Sequence, residues 1–370
     1  MILFTVLNKR YRANYYFGIP FAANDRRKTI DIPPILCMEN LHMFMKKKVL
    51  TLAISGLLAA TVSFSVSAKT TLKLSHNNDK THPVHISMQA MADEVKKLTD
   101  GEVVIRIYPN SQLGNQRESM ELIQSGSLDM AKSNASELEA FEPIYGAFNV
   151  PYLFKDSEHY YKVLRDPEIG GKILDSTKGK GFIGLTYYDA GSRSFYAKKP
   201  IKTPADLKGL KVRVQPSPSA LEMMKLMGAS ATPLAFGELY TALQQGVVDA
   251  AENNPTALTL MRHGEVAKFY SEDEHTIIPD VLLISEKSWG KLTPEQQKIV
   301  KEAADNSMMS HKDLWAKATE EEIQKAKDTM GVEFVKVDKQ PFVDAVKPMH
   351  DKALADPVIG PIVQKIDAAR

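Results

Sequence analysis

The chain has 370 residues, of which 44% are hydrophobic and 25% are charged, with 20 glycines and 20 prolines. This composition is typical of a globular protein and excludes a disordered or fibrous one, and the length is sufficient for two domains. A single cysteine, Cys37, excludes an intrachain disulfide and a zinc site built from several cysteine thiolates.

A secretory signal peptide is predicted at residues 45–68. Three consecutive lysines from Lys46 precede an apolar run that ends in small residues, so cleavage is expected after Ala68. A transmembrane anchor is the alternative interpretation, but the run is rich in Ala, Ser and Thr and no positive stop-transfer cluster follows it. Residues 1–44 are predicted to be a non-native upstream extension, because a signal peptide is expected at the start of an exported chain. The protein is therefore expected in the periplasm.

The net charge changes when the predicted extension and signal peptide are set aside. The whole chain has 47 Lys and Arg against 45 Asp and Glu, a formal charge of +2. Residues 1–68 contain 9 basic and 3 acidic residues, so residues 69–370 carry 38 basic and 42 acidic residues and a net charge of about −4. Nucleic-acid binding requires a concentrated basic face, and this balance argues against it.

Strand and helix patterns alternate along the remaining chain. Strands are predicted at 72–74, 103–108, 128–131, 182–187, 211–214 and 247–250, and helices at 84–98, 115–124, 217–227 and 237–245. This alternation indicates an α/β fold with a mostly parallel sheet and helices on both faces, and the length fits two such lobes.

One helix near the C-terminus is predicted to be much longer than the others. Thr293 and Pro294 are typical of a helix start, and neither glycine nor proline interrupts the pattern that follows before Gly331. At 1.5 Å per residue, about 37 residues extend roughly 55 Å, which exceeds the width of one small domain. The helix is therefore expected to span both lobes.

Two patterns resemble catalytic motifs but lack the required context. Gly-x-Gly-x-x-Gly at 179–184 leads into a strand instead of following one, and Ser-x-x-Lys at 288–291 has no Lys-Thr-Gly companion. We therefore predict neither enzymatic activity nor a cofactor.

A histidine-rich loop follows the first predicted strand. His76, His82 and His85 lie within ten residues, and Asp79 is their one acidic neighbour. A metal site is one interpretation, and a polar loop that opens a helix at His82 is the other, which we favour, so no metal is predicted. Open α/β sheets bind ligands at the carboxyl ends of their strands, so Asn77 and His82 are candidate ligand contacts.

Two arginines lie at or near later strands. Arg193 follows a turn after one strand, and Arg213 stands between two valines, so its side chain is expected on the face opposite to theirs. A surface arginine in a salt bridge is the alternative for either residue. Pattern alone does not decide between the two interpretations.

Several longer stretches carry a family resemblance that covers essentially the whole chain from Lys73. They are Tyr-Pro-Asn-Ser-Gln-Leu-Gly at 108–114 with Ser-Leu-Asp at 127–129, Pro-Ala-Asp-Leu-Lys-Gly-Leu-Lys-Val-Arg-Val at 204–214, Phe-Gly-Glu-Leu-Tyr-Thr-Ala-Leu-Gln at 236–244 and Val-Asp-Ala-Ala-Glu-Asn at 248–253. In these stretches the sequence resembles the extracytoplasmic solute-binding subunits of tripartite ATP-independent periplasmic (TRAP) transporters.

The resemblance implies two α/β lobes joined by a hinge, with the ligand between them. The implied division is 69–190 plus 279–320 for lobe I and 191–278 plus 321–370 for lobe II. Arg213 resembles the family's arginine that holds the ligand carboxylate as a bidentate pair, and Arg193 corresponds to its second arginine. Further implied ligand-facing positions are Asn253, Phe236, Asn77, Arg117 and Asn134, with Asp280 in the hinge region.

The implied function is a periplasmic receptor that binds an organic acid, closes about its hinge and delivers the acid to membrane permease subunits. The polar residues near Asn77 and His82 resemble members that bind sugar acids such as hexuronates, whereas the sialic-acid branch carries a glutamate where Asn134 stands. Arg117 would instead suit the second carboxylate of a C4-dicarboxylate. A secreted enzyme or a sensor subunit could also be built on the same fold, and a monomer is expected.

Overall fold

The computed structural model describes residues 69–370, so the predicted upstream extension and signal peptide lie outside the described residues. The strands in this part of the chain form one sheet of five and one of six. They are β1 (Thr70–Ser75), β2 (Val103–Tyr108), β3 (Met130–Asn134), β4 (Phe182–Tyr188), β5 (Ser192–Ala197), β6 (Lys211–Val214), β7 (Ser230–Pro233), β8 (Ala250–Asn253), β9 (Phe269–Ile277), β10 (Asp280–Ser285) and β11 (Glu333–Lys336).

The helices cover the faces of these two sheets. They are α1 (Pro83–Leu98), α2 (Gln116–Ser125), α3 (Ala135–Leu138), α4 (Ser157–Arg165), α5 (Lys172–Asp175), α6 (Pro218–Leu226), α7 (Leu239–Gln245), α8 (Thr256–Leu260), α9 (Glu286–Trp289), α10 (Pro294–Met330), α11 (Gln340–Ala355) and α12 (Gly360–Ala368). Short 3-10 turns add to them, for example at Phe236–Glu238.

The first sheet has the strand order β2-β1-β3-β10-β4. In β1, Leu72 and Leu74 are buried while Lys73 between them is exposed, which is the period of two expected of a strand. β1 pairs in parallel with β2 and β3, but β10 runs antiparallel to both β3 and β4. The sheet is therefore mixed and not mostly parallel as predicted, because β10 enters directly from the second sheet without the crossover helix that a parallel strand needs.

The second sheet has the order β11-β9-β5-β8-β6-β7. β5 is antiparallel to β8 and β9, whereas β6 is parallel to β7 and β8, and β11 is parallel to β9. Two short connections join the sheets, residues 189–191 between β4 and β5 and residues 278–279 between β9 and β10. The carboxyl ends of β3, β6 and β8 bring the polar residues discussed below toward the region between the sheets.

Helix α10 is a third link between the two halves. Thr293 accepts a hydrogen bond from the backbone nitrogen of Gln296 in a capping box, and Gly331 ends the helix in the left-handed conformation at φ 64°. Val300 packs in a cluster with side chains of the first sheet, and Ala326 packs in a cluster with side chains of the second. The prediction of a two-lobed α/β fold with one long helix spanning both lobes is confirmed.

The C-terminal segment differs from the expected division of the chain. Residues 321–370 were all expected in lobe II, and Phe342 of α11 does pack against the second sheet. In α12, however, Ile362, Val363 and Ile366 are buried in the cluster that contains the first sheet's Phe182. The apolar face of α12 finds its partners there, so the last helix belongs to the first lobe.

Two element boundaries also differ from their predictions. β3 runs from Met130 to Asn134, whereas the strand was predicted at 128–131, and β8 begins at Ala250 instead of Val247. Val247 belongs to the end of α7, because Gly246 is left-handed and the Val247 amide bonds back to the Ala242 carbonyl oxygen. Among the described residues, no helix has both the length and the hydropathy needed to cross a membrane.

Candidate functional site

A polar cavity lies between the two lobes. Its volume is about 50 Å³, and an adjoining cavity of about 200 Å³ shares several of its lining residues. The first lobe lines the polar cavity with Asn77, His82, Gln116, Lys132, Asn134, Glu137 and Asp280. The second lobe lines it with Arg193, Arg213, Gln215, Phe236 and Asn253. All the predicted site residues except Arg117 therefore meet here.

Arg213 is a buried cation at the wall of this cavity. It lies in β6 and is only 1% exposed. Its Nε and Nη2 donate to the carbonyl oxygen of Leu234 at 3.0 and 2.7 Å, and its guanidinium lies 5.7 Å from the centre of the Phe236 ring. Its Nη1 has no hydrogen-bond partner among the described residues. Because a buried charged donor without an acceptor is costly, Nη1 indicates a place for an anionic ligand.

Arg193 is held differently, by a carboxylate of the protein itself. Its Nε and Nη2 donate to Glu252 Oε2 and Oε1 at 2.6 and 2.9 Å, and both side chains are almost fully buried. Its Nη1 donates to Asn253 Oδ1 at 2.8 Å. Glu252 thus neutralises Arg193, and Arg193 in turn fixes the position of Asn253 at the cavity wall.

The same carboxylate connects to a buried histidine. His275 Nε2 lies 3.4 Å from Glu252 Oε2, and His275 Nδ1 lies 2.8 Å from Asp273 Oδ2. Burial alone would lower the pKa of His275, but Asp273 and Glu252 outweigh it and raise the pKa to about 9. His275 is therefore protonated at neutral pH and completes a charged network under the cavity.

The raised pKa of His275 predicts a fall in stability at alkaline pH. Its pKa rises from 6.5 to about 9 on folding, so the stabilisation is fully present below pH 6.5 and is lost as the pH rises through 9. We expect the free energy of unfolding in urea to fall between pH 6.5 and 9, and to fall less steeply in His275→Gln. Equal slopes in the two proteins would contradict this interpretation.

Asn77 lines the cavity from the first lobe and, like Arg213 in the second lobe, has a side-chain atom left without a hydrogen-bond partner among the described residues. Its side chain is 9% exposed and its Oδ1 has no hydrogen-bond partner among the described residues. The loop that carries it is fixed by the backbone of Asn110 and Ser111, whose amides donate to the carbonyl oxygens of Asn78 and His76 at 3.0 and 2.9 Å. Asn77 therefore presents a fixed acceptor, which suits a hydroxyl donor of a ligand.

His82 and Asn134 line the cavity but also hold local structure. His82 Nδ1 accepts from the Val84 amide at 3.2 Å and caps α1, and burial lowers its pKa well below the ordinary value, so it is neutral. Asn134 Oδ1 accepts from the Ser136 amide at 3.1 Å and caps α3, while its Nδ2 donates to Asp280 Oδ1 at 3.2 Å. Both residues shape the wall and position their neighbours.

Sequence reasoning missed three polar residues of the first lobe, Lys132, Gln116 and Glu137. Lys132 Nζ pairs with Asp280 Oδ2 at 3.1 Å and donates to Gln116 Oε1 at the same distance. Gln116 Nε2 donates to Glu137 Oε1 at 2.6 Å. The only signal for Lys132 was a charge inside the otherwise uncharged strand β3, and the helix α3 that carries Glu137 is too short to show a pattern.

Arg117 was predicted to face the ligand, but it does not line the polar cavity. Its side chain is 60% exposed and pairs with Glu121 one turn along α2 at 3.1 Å, and its guanidinium lies over the Phe141 ring. It borders only the adjoining cavity. In the first turn of α2 the side chain of Gln116 faces the polar cavity, so the side chain of the next residue, Arg117, points away from it.

The histidine loop shows no ligand set for a metal. His76 Nε2 lies 2.8 Å from His85 Nδ1, and His76 Nδ1 accepts from the Asn78 amide. Burial, with Lys132 nearby, lowers the pKa of His76 to about 3. Within residues 69–370, no three His, Cys, Asp or Glu side chains are grouped so as to hold a metal ion.

Two of the three cationic side chains that line the cavity in the described part of the chain are paired with carboxylates of the protein. Glu252 neutralises Arg193 and Asp280 neutralises Lys132, so both cations are already paired. Within residues 69–370, Arg213 has no carboxylate within salt-bridge distance. The fold and the site together define a two-lobed binding protein whose cavity between the lobes presents the unpartnered Nη1 of Arg213 together with the carboxylate of Glu137 and neutral donors and acceptors.

Comparisons with known proteins agree with this class. The family model of the bacterial extracellular solute-binding proteins, family 7, matches residues 74–356. YiiZ of Salmonella typhimurium is 41% identical over 314 residues, which are 85% of this chain and 96% of YiiZ. The chain therefore belongs to the family 7 solute-binding proteins, the periplasmic receptors of TRAP transporters, as the sequence resemblance predicted.

Solved structures of TRAP periplasmic solute-binding proteins are also similar. One from Anaerococcus prevotii, with bound α/β-D-glucuronate, is 40% identical with a TM-score of 0.79, over 81% of this chain and 98% of that one. Another from Xanthobacter autotrophicus, with bound β-D-galacturonate, is 39% identical with a TM-score of 0.78, over 81% and 100%. These relatives are binding proteins and not enzymes.

Proposed function

We propose that this protein is a periplasmic receptor for a hexuronate such as D-glucuronate or D-galacturonate and delivers it to the permease of a TRAP transporter. The observation that carries the proposal is the unpartnered Nη1 of the buried Arg213 at the cavity between the lobes. A hexuronate carboxylate would accept hydrogen bonds from this guanidinium, and charge-assisted bonds are strong where water is excluded. The uronates bound by the two similar structures support the same ligand class.

The remaining walls suit a chain of hydroxyl groups. Asn77 offers an unpartnered acceptor, Glu137 is an acceptor at the same wall, and Asn253 is held in place by Arg193. A C4-dicarboxylate would require a second cation, and Lys132 is the candidate because it lines the cavity. Lys132 is already paired with Asp280 at 3.1 Å, so it is not free to hold a second carboxylate, which favours an acid with one carboxylate.

Closure about the hinge is the proposed mechanism, with ligand binding between lobes that join at residues 189–191 and 278–279. A direct contact between the lobes supports it, because Glu139 of the first lobe accepts hydrogen bonds from Ser217 Oγ at 2.8 Å and Ser219 Oγ at 2.7 Å. Both serines lie at the start of α6, whose dipole favours a carboxylate. The closed form would be the one that the permease subunits recognise.

The proposal includes export and the oligomeric state. Residues 45–68 act as the signal peptide, the mature chain begins at Lys69, and the receptor works as a monomer. No catalytic step is required of it, so a bound uronate should be recovered chemically unchanged after incubation with the purified protein.

A thermal-shift panel tests the proposed ligand class. Ligand at a thousand times its dissociation constant stabilises the folded protein by about 4 kcal/mol, which should raise the melting temperature by roughly 5 to 15 °C. Glucuronate or galacturonate should produce this shift, while succinate and malate should produce almost none. The reverse ranking would identify a C4-dicarboxylate receptor instead.

A further inference from the structure

Glu137 is a buried carboxylate on the wall that both cavities share. It is 6% exposed and lies in α3, directly after β3. Its Oε1 accepts from Gln116 Nε2 at 2.6 Å, and no donor among residues 69–370 lies within hydrogen-bonding distance of its Oε2. Burial raises the pKa of Glu137, with Arg213 and Lys132 opposing this effect. Among the described residues, Glu137 is thus an acidic group at the cavity wall without a direct cationic partner.

Lys132 fixes the orientation of the amide next to Glu137. Lysine only donates hydrogen bonds and a carboxylate only accepts them, so Gln116 must direct Oε1 at Lys132 and Nε2 at Glu137, as observed. Lys132 is itself paired with Asp280. The amide thus separates Glu137 from Lys132, and Arg213 is the cation that opposes the raised pKa of Glu137 most. The carboxylate of Glu137 lines both cavities.

We infer that Glu137 determines specificity by excluding a second carboxylate from the ligand. This inference rests on the proposed function, in which Arg213 binds the one carboxylate of a hexuronate. At the other end of the ligand, Glu137 accepts a hydrogen bond from a hydroxyl group and repels an acidic group in its place. The receptor therefore separates hexuronates from aldarates, which have the same carbon chain with a carboxylate at both ends.

Paired ligands and an isosteric variant test this inference. Calorimetry compares D-glucuronate with D-glucarate, and D-galacturonate with galactarate, on the wild type and on Glu137→Gln. The wild type should prefer each uronate by about 100-fold or more. In Glu137→Gln, uronate affinity should fall about 10-fold and aldarate affinity should rise, so that the preference falls at least about 30-fold. Glu121→Gln on the exposed face of α2 is the matched control and should keep the wild-type preference.

The outcomes separate this inference from the proposed function. If the wild type binds no uronate, the proposed function fails. If it binds uronates but Glu137→Gln keeps the full preference over aldarates, the inference about Glu137 is overturned and the proposed function stands. Should the variant not fold, the wild type decides, because aldarate binding must strengthen relative to uronate binding as the pH falls and Glu137 gains a proton. A pH-independent ratio would overturn the inference.

Discussion

Replacement of Arg213 by alanine should lower the affinity for glucuronate by about 30-fold to several thousand-fold while leaving the fold intact. The reason is the loss of a charge-assisted pair with an enclosed carboxylate, which costs roughly 2 to 5 kcal/mol. Among the described residues Arg213 pairs with no carboxylate, and its two hydrogen bonds go to one carbonyl oxygen, that of Leu234. Its removal therefore leaves no protein carboxylate unpaired, and titration calorimetry will measure the loss of ligand binding directly.

Two further variants separate charge from geometry at this position. Arg213→Lys retains the charge but offers no planar fork for two carboxylate oxygens, so it should also bind poorly. Arg262→Ala removes an arginine of the same lobe whose side chain is 69% exposed, and its affinity should match the wild type. If Arg213→Ala is folded and loses less than fivefold in affinity, Arg213 is not the carboxylate anchor.

Features of the fold that depend on local sequence could be predicted. The long helix begins and ends where Thr293 and Gly331 indicate, because capping involves residues only a few positions apart. The placement of α12 could not be predicted in the same way. Its apolar face fits either lobe as a pattern, and only packing against distant side chains such as Phe182 decides the choice.

At the candidate site, too, contacts between residues distant in the sequence were harder to predict than local features. Arg213 lies in a segment that resembles the family, and Asn77 was a candidate because it follows the first predicted strand. Among the described residues, both carry unpartnered polar atoms at the cavity. Lys132 and Asp280 were harder to interpret, because their pairing joins positions 148 residues apart in the sequence. Arg117 was placed wrongly in the cavity, because a sequence does not show which of two adjacent residues on the first turn of a helix faces inward.

We expect the buried pair of Arg193 and Glu252 to make a large contribution to stability. We expect Glu252→Ala to lower the free energy of unfolding by about 3 to 5 kcal/mol, since it leaves the buried Arg193 without its carboxylate. The side chains are 4% and 3% exposed, so water cannot replace the lost partner. His275, which lies 3.4 Å from Glu252, would lose a favourable neighbour as well. Urea unfolding monitored by circular dichroism measures the change.

A double-mutant cycle distinguishes this pair from a general defect of packing. Arg193→Met with Glu252→Leu removes both charges together, and the double variant should lose less stability than the sum of the single changes, by about 1 to 3 kcal/mol. Glu265→Ala is the matched control, because Glu265 pairs with the exposed Arg262 at 2.7 Å and a surface pair contributes about 1 kcal/mol or less. Additive losses in the cycle would mean that the two side chains contribute to stability through packing. The charge pair of Arg193 and Glu252 would then contribute nothing of its own.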